Sequence, residues 1–196
     1  MHLYSKTIFL KGTKSKSVYQ NNLSVSESRI KMSYKPIYMD DPRFDIISNM
    51  IYKSYPNACI LYIDEVVNPE LQKKFEARRE LMSGCKIGRY FHGTREENIN
   101  NIALNGFDPT LNTRAVYGYG VYFAENASYS KDYMFSSEPG KPTYMFLSDV
   151  LVGRKGTGGK RGDPGIDNNT GPGIITTVYP DGAFPRFIIA FHKEAR

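Results

Sequence analysis

Residues 40–82 alternate helix-like and strand-like spacing of apolar residues. Asp40 and Asp41 followed by Pro42 are typical of a helix start, and this helix is predicted to run to about Lys53. Its apolar residues share one face: Phe44, Ile47, Met50 and Ile51. The apolar run at 58–67 (ACILYIDEVV) predicts a strand. Asn68 then predicts the cap of a second helix through about Met82, with three residues facing inward: Leu71, Phe75 and Leu81.

The rest of the chain is predicted to be mostly strands. A short strand at 89–92 and a helix over about 96–104, which Gly106 ends, come first. β-Branched or aromatic runs bounded by glycine, proline or aspartate predict four further strands, at 121–124, 144–152, 174–179 and 186–191. The Gly/Lys/Asn-rich segment 153–173 is predicted to be a loop that is mobile or faces a partner. Helices grouped early and strands grouped late predict an α+β domain with a mostly antiparallel sheet.

Composition limits the class of protein without identifying it. The chain has 196 residues, 40% of them hydrophobic and 23% charged, at a mean hydropathy of -0.46. A domain of this size buries roughly 70% of the surface that its unfolded chain exposes. No run of about 18 apolar residues occurs, so we expect one domain with a real core and no contact with a membrane.

The net charge of +6 is concentrated at the start of the sequence. Residues 1–39 contain seven Lys or Arg and one acidic residue, Glu27, so the remainder is balanced. We therefore predict a basic, flexible tail at 1–38 and a folded domain at 39–196. A basic tail attracts polyanions weakly and in a salt-dependent way. Nucleic-acid binding through this tail and the basic segment 154–161 is one alternative function.

Cysteine and histidine usage argues against disulfide and metal frameworks. Cys59 and Cys85 form no CxxC pair, and the three histidines are dispersed along the chain. Spacing therefore builds no zinc cluster, and we expect no metal. The small number of cysteines and the lack of a secretory signal favour a reducing compartment, the cytoplasm or nucleus.

Two glycine-rich segments resemble nucleotide-binding loops but fail on spacing. In GRKGTGGK at 153–160, a phosphate-binding loop would need glycine in place of Arg154 and Ser or Thr in place of Arg161. In YGYG at 117–120, Phe123 replaces the third glycine of a dinucleotide fingerprint, and a strand rather than a helix is predicted to follow.

Three separated patches have an unusual composition: FHGT at 91–94, YGYGVYFA at 117–124 and SYSKDY at 128–133. A strand that ends in His92-Gly93 places an imidazole beside bare backbone, whose N–H and C=O groups can bond an amide. Tyr122 and Tyr133 offer flat faces for an aromatic ring, and Ser130 adds a hydroxyl. Singly, each patch also fits a structural role in a strand or turn. Together they suit a planar aromatic carboxamide such as nicotinamide.

The order of these patches resembles one family. FHGT, Gly106-Phe107, YGYGVYFA, SYSKDY and MFLSDVLVG at 145–153 follow one another as in the catalytic domain of poly(ADP-ribose) polymerases, the diphtheria-toxin-like ADP-ribosyltransferases. Residues 60–82 resemble the strand and helix before the family's His-Gly motif. The resemblance, over roughly residues 40–196, implies a split, mostly antiparallel sheet with flanking helices, and NAD as co-substrate without a metal.

The resemblance also implies roles for single residues. His92 matches the histidine that bonds the ribose hydroxyls of NAD, and Gly93 the glycine whose backbone holds the nicotinamide carboxamide. Tyr122 matches the second member of the catalytic triad. Ser130 matches the serine that bonds the carboxamide oxygen, and Tyr133 the tyrosine that stacks on the ring.

The adenosine half of NAD is expected at two further positions and at a loop. Thr94 and Asn98 match the family's adenosine contacts, and 107–116 matches its donor loop. Arg114 in this loop either meets the pyrophosphate or is an ordinary exposed arginine.

The third triad position departs from the polymer-forming members, which carry a glutamate there. The strand at 174–178 (IITTV) contains no carboxylate, and no Glu occurs between Glu138 and Glu194. Anchoring on AFPRF at 183–187 puts Ile175 at this position, with Ile174 the neighbouring possibility. An apolar residue there resembles the mono-ADP-ribosyltransferase branch.

The implied function is transfer of single ADP-ribose units from NAD to an acceptor, with release of nicotinamide. The acceptor is expected to be a protein, the chain itself included, or an RNA or DNA end. Because the glutamate is missing, the acceptor would supply its own base or anion. A catalytically silent module of the same fold that binds NAD or ADP-ribose is the other alternative.

Overall fold

The computed structural model describes residues 32–112, 116–138, 140–157 and 165–192. Its strands are β1 Ser33–Ile37, β2 Ile60–Val67, β3 Lys86–Thr94, β4 Val121–Ala124, β5 Thr143–Val152, β6 Lys155–Gly156, β7 Asn168–Gly171, β8 Ile174–Thr177 and β9 Ala183–Phe191. They form one sheet in the order β1-β2-β9-β5-β3-β4-β8-β7-β6. Neighbouring strands pair antiparallel, with β6 and β7 the parallel exception. The predicted α+β class with a mostly antiparallel sheet is confirmed.

The described residues also form helices on both sides of this sheet. These are α1 Pro42–Tyr52, α2 Pro69–Leu81, α3 Ile99–Asn105 and the single-turn α4 Ala127–Lys131, with 3-10 turns at Glu96–Asn98 and Pro109–Leu111. The side chain of Asp41 caps α1 by accepting from the N–H of Arg43 at 2.9 Å. None of these helices is long and apolar enough to cross a bilayer.

The inward face of α2 differs from the predicted one at its last residue. Leu71 and Phe75 are buried as expected, but Leu81 is 75% exposed. Met82 takes the buried place and packs with Leu151 and Phe184. The reason is helical phase: Met82 lies seven residues after Phe75, which is close to two full turns, whereas Leu81 points away from the sheet.

The sheet begins upstream of the predicted domain boundary at residue 39. β1 pairs with β2 in the register Ser33↔Val67 to Ile37↔Ile63. Four of its five residues are exposed and Ile37 alone is buried, so the sequence lacks an apolar alternation. An edge strand of this kind also tolerates Pro36. Residues 33–37, which were predicted to belong to the tail, are therefore part of the sheet.

Other strands differ from their predicted bounds in extent. β3 begins at Lys86 rather than Arg89, and β9 at Ala183 rather than Arg186. The segment 153–173, predicted to be a loop, contributes β6 and β7 to the sheet. The helix α4 was not predicted, because five residues of mixed polarity carry no helical periodicity.

Apolar side chains pack on both faces of the sheet. On one face, α1 contributes Ile47 and Ile51 to a cluster with Phe91 and Met145. On the other, α3 and Phe107 pack with residues of β4, β5, β8 and β9. β3 is covered on both sides, and its last residues run toward the candidate site.

Candidate active site

The candidate site lies where two neighbouring strands separate. β3 pairs with β5 along its whole length, from Lys86↔Val152 to Thr94↔Tyr144. With β4, however, it pairs only at Phe91↔Ala124. Beyond Phe91 these two strands diverge. On the side away from β5, the last residues of β3 therefore face a cavity instead of β4.

The cavity between the diverging strands has a volume of about 550 Å³. Its described lining brings together seven of the site residues predicted from the sequence: His92, Gly93, Thr94, Asn98, Tyr122, Ser130 and Tyr133. These come from β3, β4, α4, the turn after α4 and the turn before α3, so residues up to 41 positions apart in the chain meet at one site. Arg114, also predicted to bind NAD, lies outside the described residues.

His92 is held in one tautomer by its backbone partner. Its Nδ1 lies 2.8 Å from the carbonyl oxygen of Tyr122. Because a carbonyl oxygen only accepts, Nδ1 carries the proton and donates, which leaves Nε2 as an acceptor. The ring packs against Phe107 and Phe123 at centroid distances of 5.0 and 5.5 Å. Burial lowers the pKa of His92, so the neutral form prevails at neutral pH.

Gly93 is required by the close approach of α4. A Cβ atom at this position would lie 1.9 Å from the carbonyl oxygen of Ser130 and 3.1 Å from Cβ of Tyr133. Only a residue without a side chain fits between β3 and α4. The same closeness brings the backbone of Gly93, the buried Ser130 and the base of the Tyr133 ring to one end of the cavity.

Tyr122 forms the facing wall, and its hydroxyl group is fixed by the preceding turn. The hydroxyl donates to the carbonyl oxygen of Gly118 at 2.7 Å and accepts from the N–H of Tyr117 at 2.8 Å. Burial is the main reason that the pKa of Tyr122 is raised, so the phenol stays protonated. Tyr122 thus offers the cavity a neutral aromatic surface.

A second aromatic pair lies at the mouth of the cavity, with Tyr129 on α4 and Tyr133 in the turn that follows it. Tyr133 is 51% exposed and stacks on Tyr129 at 5.6 Å between ring centroids. The hydroxyl of Tyr133 lies 3.5 Å from that of Tyr129, and this hydrogen bond raises the pKa of Tyr129 to about 12. The Tyr129 phenol is therefore neutral, and one open face of the pair remains for a planar ligand.

Amide side chains line the cavity near Thr94. Asn98 donates to the hydroxyl oxygen of Thr94 at 3.1 Å. Asn101 lines the cavity one turn further along, and its side-chain Oδ1 accepts from the side-chain amide of Asn105 at 2.7 Å. The only carboxylate among the described lining residues is Asp108, whose oxygen caps the next turn by accepting from the N–H of Thr110. This part of the cavity suits hydroxyl and base groups.

The strand β8 corrects the sequence prediction for the third triad position. Ile174 lines the cavity, whereas Ile175 does not. Ile175 packs on the opposite side with Phe146, Val150 and Ile188 in the core. Successive residues of a strand point to opposite faces, and anchoring on AFPRF left an error of one residue. Ile175 is therefore a core residue, and Ile174 occupies the site.

Sequence reasoning missed several lining residues. Tyr129 and Asn101 line the cavity without belonging to any predicted role. For Tyr129, the SYSKDY patch was the available signal, since Tyr129 on α4 and Tyr133 in the turn after it stack on each other at a spacing of four residues. Asn101 carries no comparable signal, because exposed asparagine occurs throughout helices and turns.

The described site and fold agree with a comparison with known families. The model of the poly(ADP-ribose) polymerase catalytic domain matches residues 43–163. This match covers more than half of the chain, so the protein belongs to that family.

Individual relatives are similar over the same region. A probable poly(ADP-ribose) polymerase of Dictyostelium discoideum is 29% identical over 166 residues, which cover 76% of this chain and 49% of the relative. The human protein mono-ADP-ribosyltransferase PARP14 is 25% identical over 178 residues, 78% of this chain and 10% of the relative. The mouse protein mono-ADP-ribosyltransferase PARP10 is 29% identical over 153 residues, 66% of this chain and 16% of the relative. The chain thus spans half or less of the length of these three proteins.

Proposed function

We propose that this chain is an NAD-dependent mono-ADP-ribosyltransferase. The observation that carries the proposal is the cavity end at which Gly93, Ser130, Tyr122 and Tyr133 meet. A backbone amide, a hydroxyl and two phenol rings match a flat aromatic carboxamide in shape and in hydrogen-bonding groups.

In the proposed complex, nicotinamide lies between Tyr122 and Tyr133. Its carboxamide bonds the backbone of Gly93 and the hydroxyl of Ser130. Nε2 of His92, left as an acceptor by the bond from Nδ1 to Tyr122, accepts from a ribose hydroxyl. The adenosine half extends toward Thr94 and Asn98, which also line the cavity.

The reaction is displacement at C1′ of the nicotinamide ribose. The bond between C1′ and the pyridinium nitrogen breaks, and its electron pair neutralises the nicotinamide, which leaves. The acceptor's nucleophile forms the new bond to C1′, and its proton, where it carries one, passes to solvent. The site contributes by holding the two halves of NAD in fixed positions while positive charge develops on the ribose.

Ile174 supports the mono rather than the poly form of the reaction. A carboxylate at this wall would polarise a ribose hydroxyl of the acceptor, and the buried Ile174 side chain cannot. The names of the relatives point both ways, since one is a probable poly(ADP-ribose) polymerase and the others are mono-ADP-ribosyltransferases. With no base at this wall, we propose that the acceptor brings its own anion, a side-chain carboxylate or a terminal phosphate.

Intact-mass spectrometry after incubation with NAD tests the proposal. We expect increments of single ADP-ribose units on the native chain or on an added acceptor, with stoichiometric release of nicotinamide. His92→Ala should give neither. His192→Ala is the matched control, because His192 is exposed and lies outside the cavity lining. Long ladders of ADP-ribose on a single site would contradict the mono assignment.

The same experiment separates a silent binding module from an enzyme that lacks its acceptor. Nicotinamide or ADP-ribose that raises the melting temperature, without nicotinamide release from NAD, would favour the binding module. Acceptor-dependent release in tubes supplied with glutamate-rich peptides or with 5′-phosphorylated RNA or DNA would identify the acceptor class.

A further inference from the structure

The turn 117–120, which holds the hydroxyl group of Tyr122, is itself supported by two nearby strands. The turn 117–120 contains two glycines with positive φ, Gly118 at 105° and Gly120 at 137°. Such a turn has little conformational preference of its own, because glycine loses more backbone freedom on folding than other residues. Its geometry must therefore come from contacts outside it.

Those contacts come from β7, from β8 and from Asn112, whose side-chain amide donates to the carbonyl oxygen of Gly120 at 2.7 Å. The side-chain amide of Asn169 donates to the carbonyl oxygen of Tyr119 at 3.0 Å, and the hydroxyl of Thr176 lies 3.4 Å from the same oxygen. The two residues are also joined to each other, since the N–H of Asn169 donates to the Thr176 hydroxyl oxygen at 3.1 Å. The backbone of Gly171 packs on the ring of Tyr117, with a Cβ there only 2.6 Å from the ring.

β7, which contains Asn169, is itself held in place by buried hydrogen bonds and an ion pair. Asn168 is fully buried and donates to the carbonyl oxygens of Leu151 and Thr176 at 3.1 and 2.8 Å. The carboxylate of Asp167 pairs with Arg154, Nε to Oδ2 at 3.0 Å, and accepts from the hydroxyl of Tyr179 at 3.1 Å. Arg154 and Asp167, in the segment predicted to be a loop that is mobile or faces a partner, therefore anchor β7 beside the site.

We propose that Asn169, assisted by Thr176, is a positioning residue for Tyr122. Neither residue belongs to the described lining of the cavity. Asn169 fixes the Tyr119 carbonyl, the turn fixes the Tyr122 hydroxyl through Gly118 and Tyr117, and Tyr122 forms one wall of the nicotinamide subsite. The last link rests on the proposed function, whereas the links from Asn169 to the turn do not.

The test compares ligands that do and do not contain nicotinamide. For Asn169→Ala we expect the affinity for nicotinamide to fall by roughly three- to tenfold, the range that the loss of one hydrogen bond supports. Affinity for ADP-ribose, which lacks the nicotinamide ring, should stay within about twofold. A merely structural loss would weaken both ligands or neither.

Asn68→Ala is the matched control. Asn68 is buried like Asn169, and its side-chain amide also donates to the backbone, to the carbonyl oxygens of Ala103 and Leu104, but it caps α2 away from the turn. It should lower the melting temperature without separating the two affinities. In a hydrogen-exchange experiment on the full chain, peptides over 117–122 should exchange faster in Asn169→Ala and not in Asn68→Ala.

A second pair of variants keeps the proposal falsifiable if Asn169→Ala does not fold. Thr176→Val removes the hydroxyl, and Thr176→Ser retains it. Val should reduce nicotinamide affinity and protection of the turn, and Ser should restore both to near the native values. Equal behaviour of Val and Ser, or an Asn169→Ala protein with native protection of 117–122, would overturn the proposal. A native chain that binds no nicotinamide, but whose turn loses protection in Asn169→Ala, would refute the proposed function while leaving the support of the turn intact.

Discussion

The imidazole of His92 and the backbone of Tyr122 are joined by a 2.8 Å hydrogen bond across the gap between β3 and β4. These strands pair through their backbones only at Phe91↔Ala124. The His92 side chain therefore connects them where no backbone pairing does. The bond links the two sides of the cavity and selects the tautomer of His92. The link between the two strands and the proposed role of Nε2 as an acceptor therefore both depend on the proton on Nδ1 of His92.

This dependence gives the first prediction, on pH. Burial holds the pKa of His92 below its usual value of 6.5, so ADP-ribose affinity should be constant from about pH 8 to 6.5 and weaken only below this. Protonation turns Nε2 into a donor, and the acceptor for the ribose hydroxyl is lost. Isothermal titration across pH 5–8 measures the effect; a midpoint above 6.5 would contradict it.

The same shift has a consequence for stability. The unfolded chain takes up a proton on this histidine near pH 6.5, before the folded chain does. The free energy of unfolding should therefore fall as pH drops below 6.5, by about 1.4 kcal/mol per pH unit at most, until the folded pKa is reached. Urea titrations of the native chain and of His92→Ala should diverge over this window and run parallel above it.

The second prediction concerns the contact between β3 and α4. Gly93→Ala places a methyl group 1.9 Å from the Ser130 carbonyl oxygen, so α4 must move away from β3. We expect loss of nicotinamide binding and a destabilisation of about 1–3 kcal/mol, typical of overpacking. Calorimetry and nicotinamide titration measure the two effects.

Gly84→Ala is the control for Gly93→Ala. Gly84 has φ +74°, and a Cβ atom at this position would meet no other atom within 4 Å, so the substitution adds backbone strain of about 1 kcal/mol without a clash. It should lose stability and keep nicotinamide binding. Native nicotinamide affinity in Gly93→Ala would show that α4 does not form the subsite.

Much of this site follows from the sequence, because its chemistry lies in short motifs. His92-Gly93 and Tyr122 are adjacent to glycine-rich patches whose order resembles the family, and the structure gathers them in one cavity. The register of β8 could not be predicted from the sequence. In IITT both isoleucines are apolar and the two threonines are also buried, so no alternation of polarity distinguishes the cavity face from the core face.

One missed element, β7, is stabilised by side-chain hydrogen bonds rather than by apolar periodicity. β7 has the sequence NNTG, which is typical of a turn. It forms a strand because Asn168 and Asn169 find buried backbone partners on β5, on β8 and in the 117–120 turn. Partners of this kind become visible only when distant segments are brought together.

The third prediction separates the two isoleucines of β8. Ile174→Glu places a carboxylate at the wall of the cavity, whereas Ile175→Glu buries a charge among Phe146, Val150 and Ile188. Ile175→Glu should cost about 3–5 kcal/mol or prevent folding, and Ile174→Glu should cost less. Urea unfolding of both variants measures the difference. Equal destabilisation would restore Ile175 as a candidate for the site.

The last prediction concerns the hydroxyl group of Tyr122. Tyr122→Phe keeps the ring but removes the group that accepts from Tyr117 and donates to Gly118. The N–H of Tyr117 and the carbonyl of Gly118 then lose a partner, so stability should fall by about 1–2 kcal/mol and the rate of nicotinamide release from NAD by roughly tenfold. Tyr62→Phe is the control, since Tyr62 is 42% exposed on β2 and its hydroxyl makes only a 3.5 Å contact with Tyr144. If Tyr122→Phe releases nicotinamide at the native rate, the aromatic face alone carries the function, and the bonds from its hydroxyl to the turn serve folding.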